Sequence, residues 1–203
     1  MLRGVWKVLK SGGELHFSDV YCDRRLPAQV REDELLVGEC IGGALYIEDF
    51  RRLCHDIGFK DVRMTTAPAP IAITDAQLKH KVGNAKFYSI TYRCFKHEHM
   101  EDRCEDYGQV AIYKGTIAGH EHVYDLDDHH RLFAHKPMLV CANTALMLQQ
   151  SWLQPHFTLI GDTRSNPHFG LFDCTTPASN ISSSASAAND NSNAACGPNT
   201  ACC

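Results

Sequence analysis

Apolar residues at the start of the chain recur with the spacing of a helix. This pattern runs from Leu2 to Lys10, and Ser11-Gly12-Gly13 follows it as a glycine-rich helix stop. The next stretch, Glu14 to Val20, is short and typical of a strand. A helix, a tight glycine turn and a strand in this order predict an αβ unit of a sheet that carries helices on its faces.

A second helix and a small-residue segment come next. Pro27 suits a helix start, and the pattern predicts a helix that continues from Ala28 to Val37. Residues 38–44, GECIGGA, are mostly small, so a ligand or another backbone can approach closely there. Helical spacing returns from Ile47 to Ile57 and stops at Gly58.

Strand patterns dominate the stretch after this helix. Asp61 to Thr66 is predicted as a strand, Gln77 to Val82 as a short helix, and Ala85 to Phe95 as a long strand of alternating side chains. Two strands that follow the last long helix predict an antiparallel hairpin at the edge of the sheet.

Past Lys96 the pattern changes to short alternating runs separated by glycines and histidine-rich turns. Residues 97–174 are therefore predicted to form a small β-rich domain. Its expected elements are strands at Gln109–Lys114, His122–Leu126, Met138–Cys141 and Phe157–Ile160, and a helix at Thr144–Gln149. Residues 175–203 consist largely of Ser, Ala and Asn and are predicted to be a disordered tail.

Composition narrows the functional classes. The 203 residues carry a formal net charge of −4, and no basic stripe is present, which argues against nucleic acid or an anionic membrane as the main partner. No run approaches the roughly 18 apolar residues of a membrane span, and the first residues do not resemble a signal peptide. We therefore expect a cytoplasmic protein. Its 10 cysteines would be reduced there, which favours soft-ion binding or thiol redox chemistry.

Cys40 is the first candidate for chemistry among these cysteines. The alternative is that Cys40 is a small buried residue that packs before the Gly42-Gly43 pair. Cys54 and Cys94 lie on apolar faces, and both are interpreted as core residues. The interpretation for Cys141 and Cys174 is likewise structural, and acidic neighbours are expected to raise the pKa of Cys104.

Two further groups carry possible ligands. The tail cysteines are Cys196, Cys202 and Cys203, and they lie in a polar segment that cannot bury them. They could bind a soft ion or relay it by thiol exchange. The alternative is a low-complexity tail without a role. A histidine and aspartate set lacks the spacing of a helical zinc motif and is interpreted as solvated turns. Its members are His120, His122, Asp125, Asp127, Asp128, His129 and His130.

Several phrases resemble S-adenosylmethionine-dependent arsenite methyltransferases. VLKSGGELHFSDVY, GECIGGALY and FYSITYRCFK are similar to the C-terminal half of the methyltransferase domain. EDRCEDYGQVAIYKGTI, LDDHH, NTALML and HFGLFDC are similar to the C-terminal domain of algal and microbial members. VLKxGG is shared by many methyltransferases, whereas GEC-x-GGAL-Y together with FYSITYR is specific to this family. The resemblance extends over almost all of residues 1–174.

The resemblance implies methyl transfer from S-adenosylmethionine to trivalent arsenic held by thiolates. Cys40 would then be an arsenic ligand, because its position matches the cysteine of the family's GEC segment. Cys202 and Cys203 resemble the cysteine-rich ends of family members and are further candidate ligands. The implied partners are arsenite and a thiol reductant such as glutathione or thioredoxin. The implied fold is α/β, with residues 1–96 as the C-terminal part of a class I, Rossmann-like methyltransferase sheet.

The sequence also departs from the family pattern. The glycine-rich turn after a first strand, which binds the cofactor, is missing, and so is the acidic residue that follows it. The partner cysteines that the family carries upstream of the VLKxGG helix are missing as well, and Ser11 replaces the usual proline. We therefore expect a fragment with an incomplete cofactor pocket that neither binds S-adenosylmethionine tightly nor turns over alone.

Three functional hypotheses remain open at this point. The first is arsenite methylation by family membership. The second is a non-enzymatic thiol protein that binds arsenite or another soft ion. The third is a pseudo-enzyme that pairs with a separate chain carrying the cofactor half.

Overall fold

A computed structural model describes residues 1–174. Its first part is an α/β unit in which helices and strands alternate. The helices are Leu2–Val8 (α1), Ala28–Arg31 (α2), Glu34–Gly38 (α3), Ile47–Ile57 (α4) and Ala76–Val82 (α5). The strands are Glu14–Cys22 (β1), Leu45–Tyr46 (β2), Val62–Met64 (β3), Ala69–Ile71 (β4) and Phe87–Phe95 (β5).

One mixed sheet joins all five strands. Its order is β2-β1-β5-β3, and β4 also pairs with β5. β1 and β5 are antiparallel along their whole length, from Glu14 opposite Phe95 to Cys22 opposite Phe87. The antiparallel hairpin expected at the edge of the sheet is confirmed, because β3 forms the edge and pairs with β5. The long strand itself is not the edge strand, because β3 and β4 pair with its other side. β5 is therefore an interior strand.

The helix expected over 28–37 is also wrong as a single element. The backbone forms α2 and then α3, and Asp33 separates them as the N-cap of α3. Its carboxylate accepts a hydrogen bond from the Leu36 N–H at 3.1 Å. Aspartate competes well for such cap positions, so it starts a new helix instead of continuing the old one.

Helices cover both faces of this sheet unequally. α1 and α4 pack on one face, with Phe50, Phe59 and Tyr92 in the buried core there. On the other face α2, α3 and α5 pack over the Phe87 end of β5. Ser89 lies further along this face and is exposed. The opposite end of this face lies against the C-terminal part of the chain.

The C-terminal part is rich in short strands. They are Glu105–Asp106 (β6), Gln109–Tyr113 (β7), Val123–Asp125 (β8), Arg131–Phe133 (β9), Pro137–Val140 (β10), Phe157–Ile160 (β11) and Gly170–Leu171 (β12), with one helix, Ala142–Gln149 (α6). β7 is the central strand of a three-stranded sheet between β10 and β11. The strands expected near 109, 122, 138 and 157 and the helix near 144 are confirmed, whereas β6, β9 and β12 were not expected.

Buried polar contacts join the two parts. Arg93 of β5 is 6% exposed and donates to Glu14 at 2.5 Å and to the Leu126 carbonyl at 2.6 Å. Lys96 donates to two carbonyl oxygens of the α1 end, and Gly12 lies against the end of α6. Within residues 1–174, no helix combines the length and apolar character needed to cross a bilayer.

Candidate functional site

Cys40 lies in the loop between α3 and β2 and is exposed. The alternative interpretation of Cys40 as a buried core residue is therefore wrong. Its backbone has a φ of +60°, a left-handed conformation that disfavours side chains other than glycine and costs about 1 kcal/mol or more. Its N–H donates to the Val37 carbonyl at 3.1 Å and so ends α3. Residues in this conformation are common after helix ends and are usually glycine, so a cysteine there is a candidate for a functional role.

A cleft of about 550 Å³ lies beside Cys40. The neighbours on both sides, Glu39 and Ile41, line it together with Val20 near the carboxyl end of β1. Ligands of open α/β sheets bind at this end of the strands. Gly42 allows the loop to pack closely, since a Cβ there would lie 3.1 Å from the Val30 carbonyl oxygen.

The cysteines interpreted as core residues are buried. Cys54 of α4 and Cys94 of β5 are both 0% exposed and belong to the same apolar core. The hydrogen bond with Cys54 and then burial raise the pKa of Cys94 well above its usual range. Both thiols are shielded from solvent, so the structural interpretation of Cys54 and Cys94 is confirmed.

Three other cysteines, far apart in the sequence, lie together. Cys104 precedes β6, Cys141 is the N-cap of α6, and Cys174 follows β12. Their Sγ atoms all lie within 4.8 Å of one another. Antiparallel pairing of β12 with β6 brings Cys104 and Cys174 together. The Phe172 N–H donates to the Cys104 carbonyl at 2.7 Å. The sequence patterns around these cysteines did not predict this cluster.

A buried ion network supports this thiol cluster. Arg63 of β3 is 5% exposed and donates to Asp61 at 2.8 Å, to Asp127 at 2.8 Å and to the Cys141 Sγ at 3.7 Å. Burial alone would raise the pKa of Asp127, but the hydrogen bond from His130 and the charge of Arg63 hold it well below its usual range. Asp127 is therefore an ionised carboxylate in the interior.

The thiols of the cluster differ in acidity. Hydrogen bonds from Cys104 and Cys174 lower the pKa of Cys141, and the charge of Arg63 adds to this against the effect of burial. The hydrogen bond to Cys141 raises the pKa of Cys104 to about 12. The direction expected for Cys104 is confirmed, but its main cause is the neighbouring sulfur. Within the cluster, Cys141 is therefore the sulfur whose thiolate form is most favoured.

The histidine and aspartate set divides into two groups. His120 and His122 are exposed, as solvated turns require. Asp127 and His130 are buried, and the His130 Nδ1 lies 2.8 Å from both carboxylate oxygens of Asp127. The interpretation as solvated turns is thus wrong for this pair. The candidate ligands Cys202 and Cys203 lie outside the described residues, as does Cys196.

The described residues lack the glycine-rich turn that binds the cofactor in this type of fold. β1 is followed by Asp23-Arg24-Arg25. The cleft beside Cys40 is lined largely by aliphatic side chains, with Glu39 and Asp75 as its acidic groups.

Fold and thiols together define a thiol-rich α/β protein with a mixed sheet and a β-rich C-terminal part. Comparison with known proteins makes the relationship specific. The family described as "Arsenite methyltransferase C-terminal domain" matches residues 106–203. An arsenite methyltransferase of Aquipseudomonas alcaligenes is 51% identical over 173 residues, which cover 85% of this chain and 49% of that protein. The Homo sapiens arsenite methyltransferase is 37% identical over 161 residues, covering 78% and 41%.

A solved structure agrees with the sequence relatives. It is the crystal structure of an arsenic (III) S-adenosylmethionine methyltransferase from Chlamydomonas reinhardtii, with a TM-score of 0.79 and 57% identity. The match covers 85% of this chain and 56% of that one. The chain is therefore related to the C-terminal region of arsenite methyltransferases. It spans about half the length of the curated relatives it matches.

Proposed function

We propose that this chain is the arsenic-holding part of an S-adenosylmethionine-dependent arsenite methyltransferase, with Cys40 as one thiolate ligand of the substrate. The observation that carries this proposal is the exposed Cys40 in a left-handed backbone conformation beside the cleft at the end of β1. The relatives named above supply the reaction, which is methylation of trivalent arsenic.

Cys40 would act as a ligand and not as a nucleophile toward carbon. Thiolates are soft ligands that select soft ions, and an arsenic atom fixed by sulfur keeps its lone pair in a set direction. Orientation of that lone pair toward the methyl donor is the main contribution that the protein can make to this reaction. S-adenosylmethionine would supply the methyl group, and the rest of the enzyme would supply its binding turn.

The sheet is proposed to be the C-terminal part of a class I, Rossmann-like methyltransferase sheet. Two features support this. β1 follows a helix and pairs with the antiparallel β5, and between Glu14 and Val20 its other edge has no strand partner within residues 1–174. A parallel strand from the rest of a methyltransferase domain would fit this edge. Two buried cores support domain limits at residues 1–96 and 97–174, with Phe95 at the end of β5 packed in the second core.

The proposal extends to the surroundings of the reaction. A thiol reductant such as glutathione or thioredoxin would keep the ligands reduced. The proposed location is cytoplasmic, because the cysteines within residues 1–174 are free thiols and the cytosol keeps thiols reduced. Cys202 and Cys203 remain proposed as further arsenic ligands.

A hybrid enzyme tests the proposed function. The Chlamydomonas reinhardtii protein would keep its own N-terminal part and receive this chain in place of its matching C-terminal part. We expect the hybrid to methylate arsenite with S-adenosylmethionine, and the isolated chain to show no turnover. Replacing Cys40→Ser in the hybrid should reduce the rate by at least about 100-fold, because a ligand contributes more than the outer-shell partners whose loss costs 10- to 100-fold.

A matched control separates ligand loss from general damage. Cys94→Ala removes a buried thiol from the core and should leave methylation by the folded hybrid nearly unchanged. A folded hybrid that methylates arsenite equally well with and without Cys40 would refute the assignment of this ligand. A folded hybrid without any methylation would refute the proposed function itself.

A further inference from the structure

We propose that Cys104, Cys141 and Cys174 form a second binding site for trivalent arsenic, in which one arsenic atom bonds all three sulfurs. Arsenic as the ligand rests on the proposed function, whereas the cluster itself rests on the geometry below.

The geometry suits one small soft ion. The three Sγ atoms lie within 4.8 Å of one another. An ion with bonds of about 2.3 Å to sulfur, as in zinc thiolates, holds its sulfurs roughly 3.8 Å apart. Backbone contacts fix one of the ligands, since Cys141 accepts a hydrogen bond from the Thr144 N–H at 3.5 Å. The site thus requires only a small contraction around the ion.

The surrounding charges prepare one sulfur for bonding. Cys141 caps the first turn of α6, and Arg63 lies 3.7 Å from its Sγ, so two positive influences stabilise a thiolate there. The thiolate is the form of cysteine that binds soft ions. Two carboxylates, Asp61 and Asp127, hold Arg63 in this position.

The number of ligands favours trivalent arsenic over zinc. Structural zinc sites take four ligands in a tetrahedron, whereas trivalent arsenic forms three bonds in a pyramid and keeps a lone pair. The nearest imidazoles, His129 and His130, converge on Cys174 but not on all three sulfurs. Each imidazole is hydrogen-bonded through Nδ1 to an aspartate, which leaves only its Nε2 for a metal ion. Among the described residues, the three sulfurs lie within reach of one another, and the imidazoles join them only through Cys174.

This cluster is separate from Cys40. The residues Leu36 and Ile41 near Cys40 pack with Phe87 at the first position of β5. At the other end of this strand, Arg63 of the cluster's ion network stands opposite Arg93. Phe87 and Arg93 are six residues apart along β5, and at about 3.4 Å per residue this separates Cys40's surroundings from the cluster by about 20 Å. One arsenic atom therefore cannot bond both Cys40 and the cluster.

Solvent reaches the cluster from one side. A cleft of about 170 Å³ is lined by Cys104, Asp61 and Asn143. Cys104 and Cys174 are half-buried, so arsenous acid can reach their sulfurs without unfolding the chain.

The binding step is an exchange of ligands at constant oxidation state. Arsenous acid, As(OH)₃, loses three As–O bonds and gains three As–S bonds. The Cys104, Cys141 and Cys174 thiols each give one proton to a departing hydroxide. Three water molecules leave, arsenic stays trivalent, and no oxidant or reductant is consumed.

Arsenite binding to the full chain tests this site. Cys196, Cys202 and Cys203 would first be changed to serine, so that the tail cannot contribute. We expect equilibrium dialysis to show tight arsenite binding and arsenic X-ray absorption to show a shell of three sulfurs. Cys104→Ser and Cys174→Ser should each weaken binding by at least about 100-fold, and Cys54→Ala, which removes a buried thiol outside the site, should not.

A second measurement avoids variants that fail to fold. In the unsubstituted chain, alkylation would run long enough to label Cys104 and Cys174 despite their slow reaction. Arsenite should then protect both from labelling, as read by peptide mass spectrometry. Arsenite binding that is unchanged by Cys104→Ser and Cys174→Ser, without protection of these cysteines, would overturn the second site alone. Two other results would also overturn it. One is a site that needs His130 and retains zinc in preference to arsenite, and the other is a disulfide within the cluster under reducing conditions. The hybrid methylation assay remains the independent test of the proposed function.

Discussion

Arg63→Met should destabilise the fold strongly, although Arg63 is one of many charged residues. The Arg63 side chain is 4% exposed, and its partner Asp127 is 0% exposed. Removing one partner of a buried ion pair leaves a charge without compensation and typically costs about 3–5 kcal/mol. Asp61 is 13% exposed and can be rehydrated, so the loss comes mainly from Asp127.

Urea unfolding at pH 7 measures this loss, and thermal unfolding should show it as a decrease in Tm of about 6–20 °C for a chain of this size. Adding Asp127→Asn to Arg63→Met should restore part of the stability, because it removes the stranded charge. Arg25→Ala breaks the exposed pair with Asp49 and serves as the control that leaves the midpoint nearly unchanged.

The pH dependence follows from the lowered pKa of Asp127. Its carboxylate is favoured in the folded state, so its contribution to stability is present above the unfolded pKa of about 3.9 and is lost as the pH falls through the lower folded value. The difference between the wild type and Arg63→Met should therefore shrink below about pH 4. An Arg63→Met protein within about 1 kcal/mol of the wild type at pH 7 would refute this reasoning.

Three further predictions test the core, one close contact and one thiol. Phe50→Ala, at a side chain that is 2% exposed, should cost about 3–5 kcal/mol in urea unfolding, whereas Leu53→Ala on the exposed side of the same helix should cost much less. Gly12→Ala should destabilise the fold more than Gly83→Ala in the same urea assay. Both glycines have positive φ, but only at Gly12 would a Cβ clash, at 2.0 Å from the carbonyl oxygen at the end of α6. Comparable losses for the two glycines would contradict this contact. At pH 8, iodoacetamide should alkylate Cys104 at least about 100-fold more slowly in the folded chain than in urea, because its pKa is raised to about 12. Equal rates would contradict the hydrogen bonding in the thiol cluster.

Local sequence patterns predicted those elements whose causes are local. α4 has the expected bounds of Ile47 and Ile57, and β11 has those of Phe157 and Ile160, because apolar periodicity and glycine stops act within a few residues. The break between α2 and α3 was missed because the capping strength of Asp33 competes with a helical pattern that continues around it.

Features that depend on distant parts of the chain could not be predicted in this way. The interior position of β5 depends on β3 and β4 pairing with it. The thiol cluster depends on β12 pairing with β6 and on the start of α6, and no spacing rule connects these segments. Cys40 was found because a small-residue phrase surrounds it, but its exposure follows only from the fold.

The most direct test is the number of arsenic atoms bound per hybrid molecule, with the tail cysteines replaced and elemental mass spectrometry as the readout. We expect two arsenic atoms in the parent, one after Cys40→Ser, one after Cys104→Ser, and none after both changes. A parent that binds two arsenic atoms and still binds two after Cys40→Ser would contradict the assignment of Cys40 as the residue that holds the substrate.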